Sequence, residues 1–232
     1  MDERFSRTQG LIGEKGVKAL KNACVAVVGL GGVGGFAAEA LARSGVGQLL
    51  LFDNDRYSLS NINRQAGAFS STVGRLKTEV TAERIALINE AIAVHCYPIF
   101  ISPETDFPFK QADFIIDAVD NVTAKLFLAQ GAQENGVPII SVMGTGNKLD
   151  PTRLKIGDIY QTHECPLCRV MRYECKKRGI KRLNVVWSDE RAKKSPLSEN
   201  GKSVPASMTF VPAAAGVTAA SFVVTQLLKE IN

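Results

Sequence analysis

Along the first 145 residues, short apolar runs alternate with longer stretches of helical spacing. The runs at 24–28, 47–52, 92–100, 113–117 and 138–142 are too short for buried helices and predict strands. Between most of them, 32–44, 74–89 and 121–135 predict helices. Strands alternating with helices of this length indicate parallel βαβ units, hence an α/β, doubly wound, mostly parallel sheet of Rossmann-like form. In such a sheet ligands bind at the carboxyl ends of the strands, so residues far apart in sequence can converge there.

Beyond residue 145 the pattern changes. Thr152–Ile159 alternates in strand fashion, 165–178 is helix-like and basic, and Leu183–Trp187 is strand-like again, which together predict a C-terminal antiparallel extension. The stretch 189–207 is polar, carries two prolines and has no apolar face, so it reads as a flexible loop. Phe210–Leu228 is the most apolar long segment. Its Pro212, Thr218, Ser221, Thr225 and Gln226 make it too polar for the ~20 residues of a hydrocarbon crossing. A helix buried on the sheet or at a subunit interface is expected there, and stable membrane insertion is not. A chain of 232 residues with 45% hydrophobic content can bury one substantial core. The expectation is a single domain over 1–232, with 145–207 as a substrate-facing extension that ends in a basic, flexible segment.

The string GLGGVGG places Gly29, Gly31 and Gly34 between a predicted strand and a predicted helix, the context in which a glycine turn lets backbone approach a phosphate at a helix N-terminus. Asp53 ends the next apolar run, where a carboxylate accepts hydrogen bonds from ribose hydroxyls. A nucleotide is implied, and a nicotinamide-binding fold is one reading. Arg64, Lys77 and Asp120 favour another. The pyrophosphate of a nicotinamide cofactor is only held, whereas attack of a carboxylate on the α-phosphate of ATP builds charge that cations and a metal ion stabilise. The plainer alternatives are a surface ion pair for Arg64 and Lys77, a helix cap for Asp120, and simple surface charges for Arg4 and Arg7.

The N-terminus is charged within its first four residues and lacks an apolar signal segment, so a cytoplasmic enzyme is expected. Cys24 and Cys96 lie in strand-like runs and read as small core residues. The other three cysteines cluster at 165, 168 and 175, and Cys165-Pro-Leu-Cys168 is the chain's one CxxC pair. A regular helix separates Cys168 from Cys175 by two turns, roughly 10 Å, too far for both to bind one zinc at a Zn–S length of about 2.3 Å. Charge is concentrated nearby. Between Arg169 and Lys194 ten basic residues face three acidic ones, a local +7 that exceeds the whole chain's +5. This suggests a phosphate-rich macromolecule as substrate, the alternative being a solvated helix face and loop.

Several strings together carry a family resemblance. GLGGVGG, Asp53-Asn54-Asp55, Asn61-Ile62-Asn63-Arg64-Gln65, Val73-Gly74-Arg75-Leu76-Lys77, Asp117-Ala118-Val119-Asp120-Asn121 and the opening Arg4-Phe5-Ser6-Arg7 resemble the ubiquitin-activating-like adenylating superfamily. The resemblance implies a Rossmann-like adenylation domain that uses ATP and Mg2+. By matched position, Gly29, Gly31, Gly32 and Gly34 shape the phosphate turn and Asp53 holds the ribose. Asn61, Arg64, Gln65 and Lys77 bind and polarise the phosphates, and Asp55 and Asn121 belong to the nucleotide-binding set. Asp120 places magnesium, and Arg7 completes the site of the partner in a homodimer. Members that activate carrier proteins usually carry two CxxC pairs, so no zinc is expected here. The resemblance leaves open a monovalent cation and a sulfur-relay partner protein.

Further along, Met143-Gly144-Thr145-Gly146-Asn147-Lys148-Leu149-Asp150-Pro151-Thr152, Ile156-Gly157-Asp158-Ile159, Lys177-Arg178-Gly179-Ile180 and Val185-Val186-Trp187-Ser188 are similar to the tRNA threonylcarbamoyladenosine dehydratases. This resemblance implies a tRNA anticodon stem-loop as substrate and ring closure through an acyl-adenylate. The alternative is adenylation of the C-terminal glycine of a ubiquitin-like sulfur carrier.

Overall fold

The computed structural model describes residues 2–199 and 202–229. Its strands are β1 (Cys24–Val28), β2 (Gln48–Phe52), β3 (Ala93–Tyr97), β4 (Phe114–Asp117), β5 (Ile139–Val142), β6 (Leu154–Asp158) and β7 (Asn184–Ser188). They form one seven-stranded sheet in the order β3-β2-β1-β4-β5-β7-β6. Every neighbouring pair is parallel except β6 with β7. β1, β4 and β5 are buried at every position, as strands covered on both faces must be.

Alternation along the strands divides the core in two. Val25, Val27, Leu49, Leu51, Ile116 and Val142 point to the face covered by α2 (Gly34–Ser44), α3 (Lys77–Ile88) and α6 (Phe210–Lys229). Ala26, Val28, Leu50, Phe52 and Ile115 point to the opposite face, under α4 (Val122–Asn135) and α5 (Pro166–Lys177). The apolar C-terminal segment is thus a packed core helix. It crosses α2 so closely that a methyl group built on Gly216 would lie 2.2 Å from the Val33 carbonyl oxygen.

The expected antiparallel extension is the pair β6 and β7, which continues the main sheet. Elsewhere the structure departs from the sequence expectations. The N-terminal helix α1 (Ser6–Asn22) was not expected from the sequence; it buries only Gly16 and Leu20, and it breaks at Gly13, where φ is 73° and ψ 173°. Cys96 is not a core residue: β3 is an edge strand and the thiol is exposed, donating to the Thr78 carbonyl at 3.5 Å. The segment 189–207 is not a free loop. It carries the hairpin β8 (Ser198–Glu199) and β9 (Lys202–Ser203), and it is tied down at both ends as described below.

Candidate active site

Gly29 leaves β1 with φ of 87°, a conformation that disfavours a side chain, and a methyl group there would come within 2.9 Å of the Ala118 backbone. The turns after β1 and β4 therefore touch. They do so where the strand order reverses, the crevice in which doubly wound sheets bind ligands. Gly34 opens α2 so near the turn that a methyl group on it would overlap the Gly29 carbonyl oxygen at 1.7 Å. Gly31 instead faces open space, the nearest atom to an added methyl being Gln65 Nε2 at 3.7 Å. Gln65 is buried, and its Oε1 has no hydrogen-bond partner among the described residues. An orphaned buried acceptor beside an open glycine cradle is what a ligand with donor groups would satisfy.

Asp53 closes this turn from the end of β2. Its carboxylate accepts from the Leu30 amide at 2.6 Å and from the Asp55 amide at 2.8 Å. Burial pushes its carboxyl up, against the opposing pull of Lys77 and the two amides. Lys77 begins α3 and is 6% exposed; its Nζ lies 2.7 Å from Asp55 and 3.7 Å from Asp53. It is an ion pair in which the lysine and Asp53 are nearly buried and Asp55, the nearer partner, is exposed. Arg64 donates to the Ser60 carbonyl at 2.6 Å and to Asn63 Oδ1 at 2.9 Å, and its stem lies against Gly32. Asn61 Oδ1 accepts from the Ser58 amide at 3.1 Å and so shapes the loop that presents Arg64.

Asp120 follows Ala118 by two residues at the end of β4. It is exposed and has no hydrogen bond or ion pair among the described residues. Asn121 is the cap of α4, accepting from the Ala124 amide at 3.1 Å, which removes the capping alternative for Asp120. Asp120 stands as a single carboxylate: no group of three or more His, Cys, Asp or Glu able to hold a metal ion occurs among the described residues. These contacts link the glycine turn to Asp53, Asp55 and Lys77 on one side and to Arg64 and Gln65 on the other, while Asp120 and Asn121 follow the Ala118 turn that touches Gly29. Arg7 lies elsewhere. Two residues before it, Phe5 packs on Gly45, ahead of the N-terminal end of β2 and opposite to Asp53. Arg7 itself is exposed and unpaired among the described residues.

A buried network that the sequence reading missed supports this edge. Lys125 and Asp117 are fully buried, with Nζ 3.1 Å from Asp117 Oδ2. Lys125 also donates to Ser141 Oγ at 3.1 Å and to the Val142 carbonyl at 2.8 Å, and Ser141 donates to Asp117 at 2.5 Å. Asp117 in turn accepts from the Val119 amide at 3.2 Å. The ends of β4 and β5 are thereby fixed together, and with them the turn bearing Asp120. The available signal was a lysine on the apolar side of a predicted helix, eight residues after an aspartate that ends a strand.

The loop after β5 is held to the segment 189–207. Asn147 has a left-handed φ of 62°; its amide donates to the Ala206 carbonyl at 2.7 Å and its Oδ1 accepts from the Ala206 amide at 2.7 Å. Its carbonyl accepts from the Lys193 amide at 2.8 Å. On the other side Asn63 Nδ2 donates to the Ser207 carbonyl at 2.9 Å. The segment therefore straps the 143–150 loop to the Arg64 loop. Around α5 and the turn after it, Arg169, Lys176, Lys177, Arg178, Lys181 and Arg182 are exposed, whereas Arg172 is spent on Thr162.

The model of the ThiF family matches residues 5–231. The chain is 42% identical to the tRNA threonylcarbamoyladenosine dehydratase of Bacillus subtilis, with 100% of this chain and 97% of the relative covered. It is 36% identical to the protein of that name from Haemophilus influenzae, over 99% of this chain and 95% of the relative. Among solved structures, the E. coli tRNA N6-threonylcarbamoyladenosine dehydratase in complex with ATP is similar with a TM-score of 0.88 at 32% identity, covering 99% of this chain and 95% of that one.

Proposed function

The chain belongs to the ThiF family, and on that premise we propose that it is an ATP-dependent dehydratase acting on threonylcarbamoyladenosine in tRNA, next to the anticodon. ATP converts the threonine carboxylate of the modified nucleoside to an acyl-adenylate, releasing pyrophosphate. A nitrogen of the same nucleoside then attacks the activated carbonyl, closes a ring and expels AMP. Because the nucleophile is intramolecular, its effective concentration is high and no covalent enzyme intermediate is required.

The glycine cradle takes the phosphates and Asp53 the ribose, with Asp55, Asn61, Gln65 and Asn121 around the nucleotide. Arg64 and Lys77 stabilise charge developing on the phosphates. Asp120 is the residue to hold magnesium, which when bound neutralises phosphate charge. Arg7 lies at the other end of its own sheet, which supports a role in the site of a second copy, with the enzyme working as a homodimer. The exposed cations around α5 contact the tRNA backbone in the cytoplasm.

The observation that carries this reading is the likeness to the Bacillus subtilis dehydratase over the whole chain, which takes in the strapped loop after β5 as well as the generic glycine turn. A tRNA digest from a deletion strain tests it: the cyclic nucleoside disappears, and its persistence would sink the assignment. Pyrophosphate exchange stimulated by a small protein ending in Gly-Gly, and not by tRNA, would favour the carrier-protein alternative.

A further inference from the structure

α5 turns its apolar side inward, where Cys168, Met171 and Cys175 are buried in the core. That spacing leaves Arg169, Val170, Tyr173, Lys176 and Lys177 together on the outer face, and all five are exposed. Tyr173 is 68% exposed and has no hydrogen bond or ring contact among the described residues. Tyr160, before the helix, differs: its hydroxyl donates to the Ile180 carbonyl at 2.5 Å. The Tyr173 ring therefore contributes little to the fold. One turn before it stands Arg169 and one turn after it Lys176 and Lys177, while Glu174, the one carboxylate of α5, is paired with Arg178.

The helix also starts beside the candidate site. A methyl group on Gly144, in the loop after β5, would lie 3.9 Å from Leu167 Cβ in the first turn of α5. The same loop is strapped to the Arg64 loop through Asn147 and Asn63. Tyr173 follows Leu167 by six residues, roughly 9 Å farther along the axis. A flat ring between cations suits an unpaired nucleobase, because every base has a π-face and the phosphates on either side of it meet the cations. A paired RNA helix keeps its base faces stacked inside and offers that ring nothing. A lipid surface fits less well: a helix lying on a membrane turns its apolar side outward, whereas α5 buries its own.

We propose that Tyr173 is a stacking platform for an unpaired base of the tRNA loop that carries the reacting nucleoside, and that it makes the enzyme select looped over paired RNA. This rests on the tRNA reading above and names the residue that tells a loop from a stem. Arg169, Lys176 and Lys177 hold the backbone phosphates flanking the stacked base, a contact that any RNA can make. The ring is the part of the face that only an unstacked base can satisfy. Tyr173 is thus a positioning residue: it holds the loop beside the site and takes no part in adenylation or ring closure.

The test compares the full-length wild type with Tyr173→Phe, Tyr173→Leu and Tyr173→Ala. The probes are an anticodon stem-loop RNA bearing threonylcarbamoyladenosine and a fully paired RNA of the same length. Because the ring is exposed, the variants should melt with the wild type. Tyr173→Ala and Tyr173→Leu should bind the stem-loop about 5- to 150-fold more weakly, the range for loss of one stacked base. Their KM for the RNA should rise with kcat unchanged, and Tyr173→Phe, which keeps the ring, should match the wild type. Affinity for paired RNA and the slope of log affinity against log salt should not move, as the slope would for a lost phosphate contact. Equal stem-loop binding by wild type and Tyr173→Ala, an equal loss with paired RNA, or wild-type behaviour of Tyr173→Leu would each overturn the stacking role. Tyr173-dependent attachment to phosphatidylserine vesicles, with RNA binding unchanged, would overturn it in favour of a lipid surface. A wild type that neither binds nor dehydrates the stem-loop would sink the tRNA reading itself. That outcome differs from a wild type and a Tyr173→Ala variant that both turn the stem-loop over with the same KM, which would overturn the stacking role alone.

Discussion

The Lys77 ammonium lies 2.7 Å from the Asp55 carboxylate and 3.7 Å from that of Asp53, at the mouth of the glycine turn. Two aspartates keep a nearly buried cation in place, and in the proposed reading that charge is already positioned for a triphosphate. Lys77→Ala should lower pyrophosphate release by on the order of 10²-fold or more, as loss of a positioned charge-stabilising group does. Arg7→Ala should be comparably inactive. Mixing the two inactive proteins should restore turnover, because a mixed dimer contains one site with its own Lys77 and the partner's Arg7 intact. Mixtures that stay inactive would mean that Arg7 does not act across a dimer.

The glycines separate packing from binding. Gly34→Ala collides with the Gly29 carbonyl oxygen and should lower the melting temperature along with activity. Gly31→Ala meets nothing closer than 3.7 Å and should leave the melting temperature unchanged while raising the KM for ATP, since the added methyl occupies the cradle. Equal ATP affinity in wild type and Gly31→Ala, measured by calorimetry, would move the phosphates elsewhere.

The buried pair of Asp117 and Lys125 makes a prediction about stability. Lys125→Met strands a carboxylate at 0% exposure and should cost about 3–5 kcal/mol in denaturant unfolding. The double change Asp117→Leu, Lys125→Met removes both charges and should be less destabilised than Lys125→Met alone. It should still lose turnover, because the link between β4 and β5 that fixes the Asp120 turn is gone.

Charge reversal at Lys176, Lys177 and Lys181 should weaken tRNA binding and reduce the slope of log affinity against log salt by roughly 0.7–0.9 for each phosphate that is no longer neutralised. An unchanged slope, from filter binding across a salt series, would remove α5 from the tRNA footprint.

The parts of this fold that were legible in the sequence are those written in hydrophobic period. β1 begins and ends where its apolar run does, and the glycine turn sits between strand and helix as its spacing requires. α1 was passed over because it is polar on average and interrupted at Gly13. Cys96 misled because an apolar neighbourhood does not distinguish an edge strand from a central one. In the candidate site, Asp53 and Asp120 stood out as charges at the ends of apolar runs, and Lys77 as a cation at the start of a predicted helix. The orphaned Gln65 carbonyl, the Asn147 clamp on Ala206 and the Lys125–Asp117 pair depend on long-range contacts that no local pattern encodes. The segment 189–207 looked unconstrained for the same reason: its anchors, the Asp189 and Glu190 carboxylates and the Ala206 and Ser207 backbone, all reach residues far away in sequence.

The most direct test of the account is to incubate the purified protein with ATP, magnesium and tRNA bearing threonylcarbamoyladenosine, then digest the tRNA and weigh the nucleoside. The account predicts a nucleoside lighter by one water, with AMP and pyrophosphate formed in equal amounts to it. A nucleoside of unchanged mass, with ATP cleaved only when a carrier protein ending in Gly-Gly is added, would contradict it.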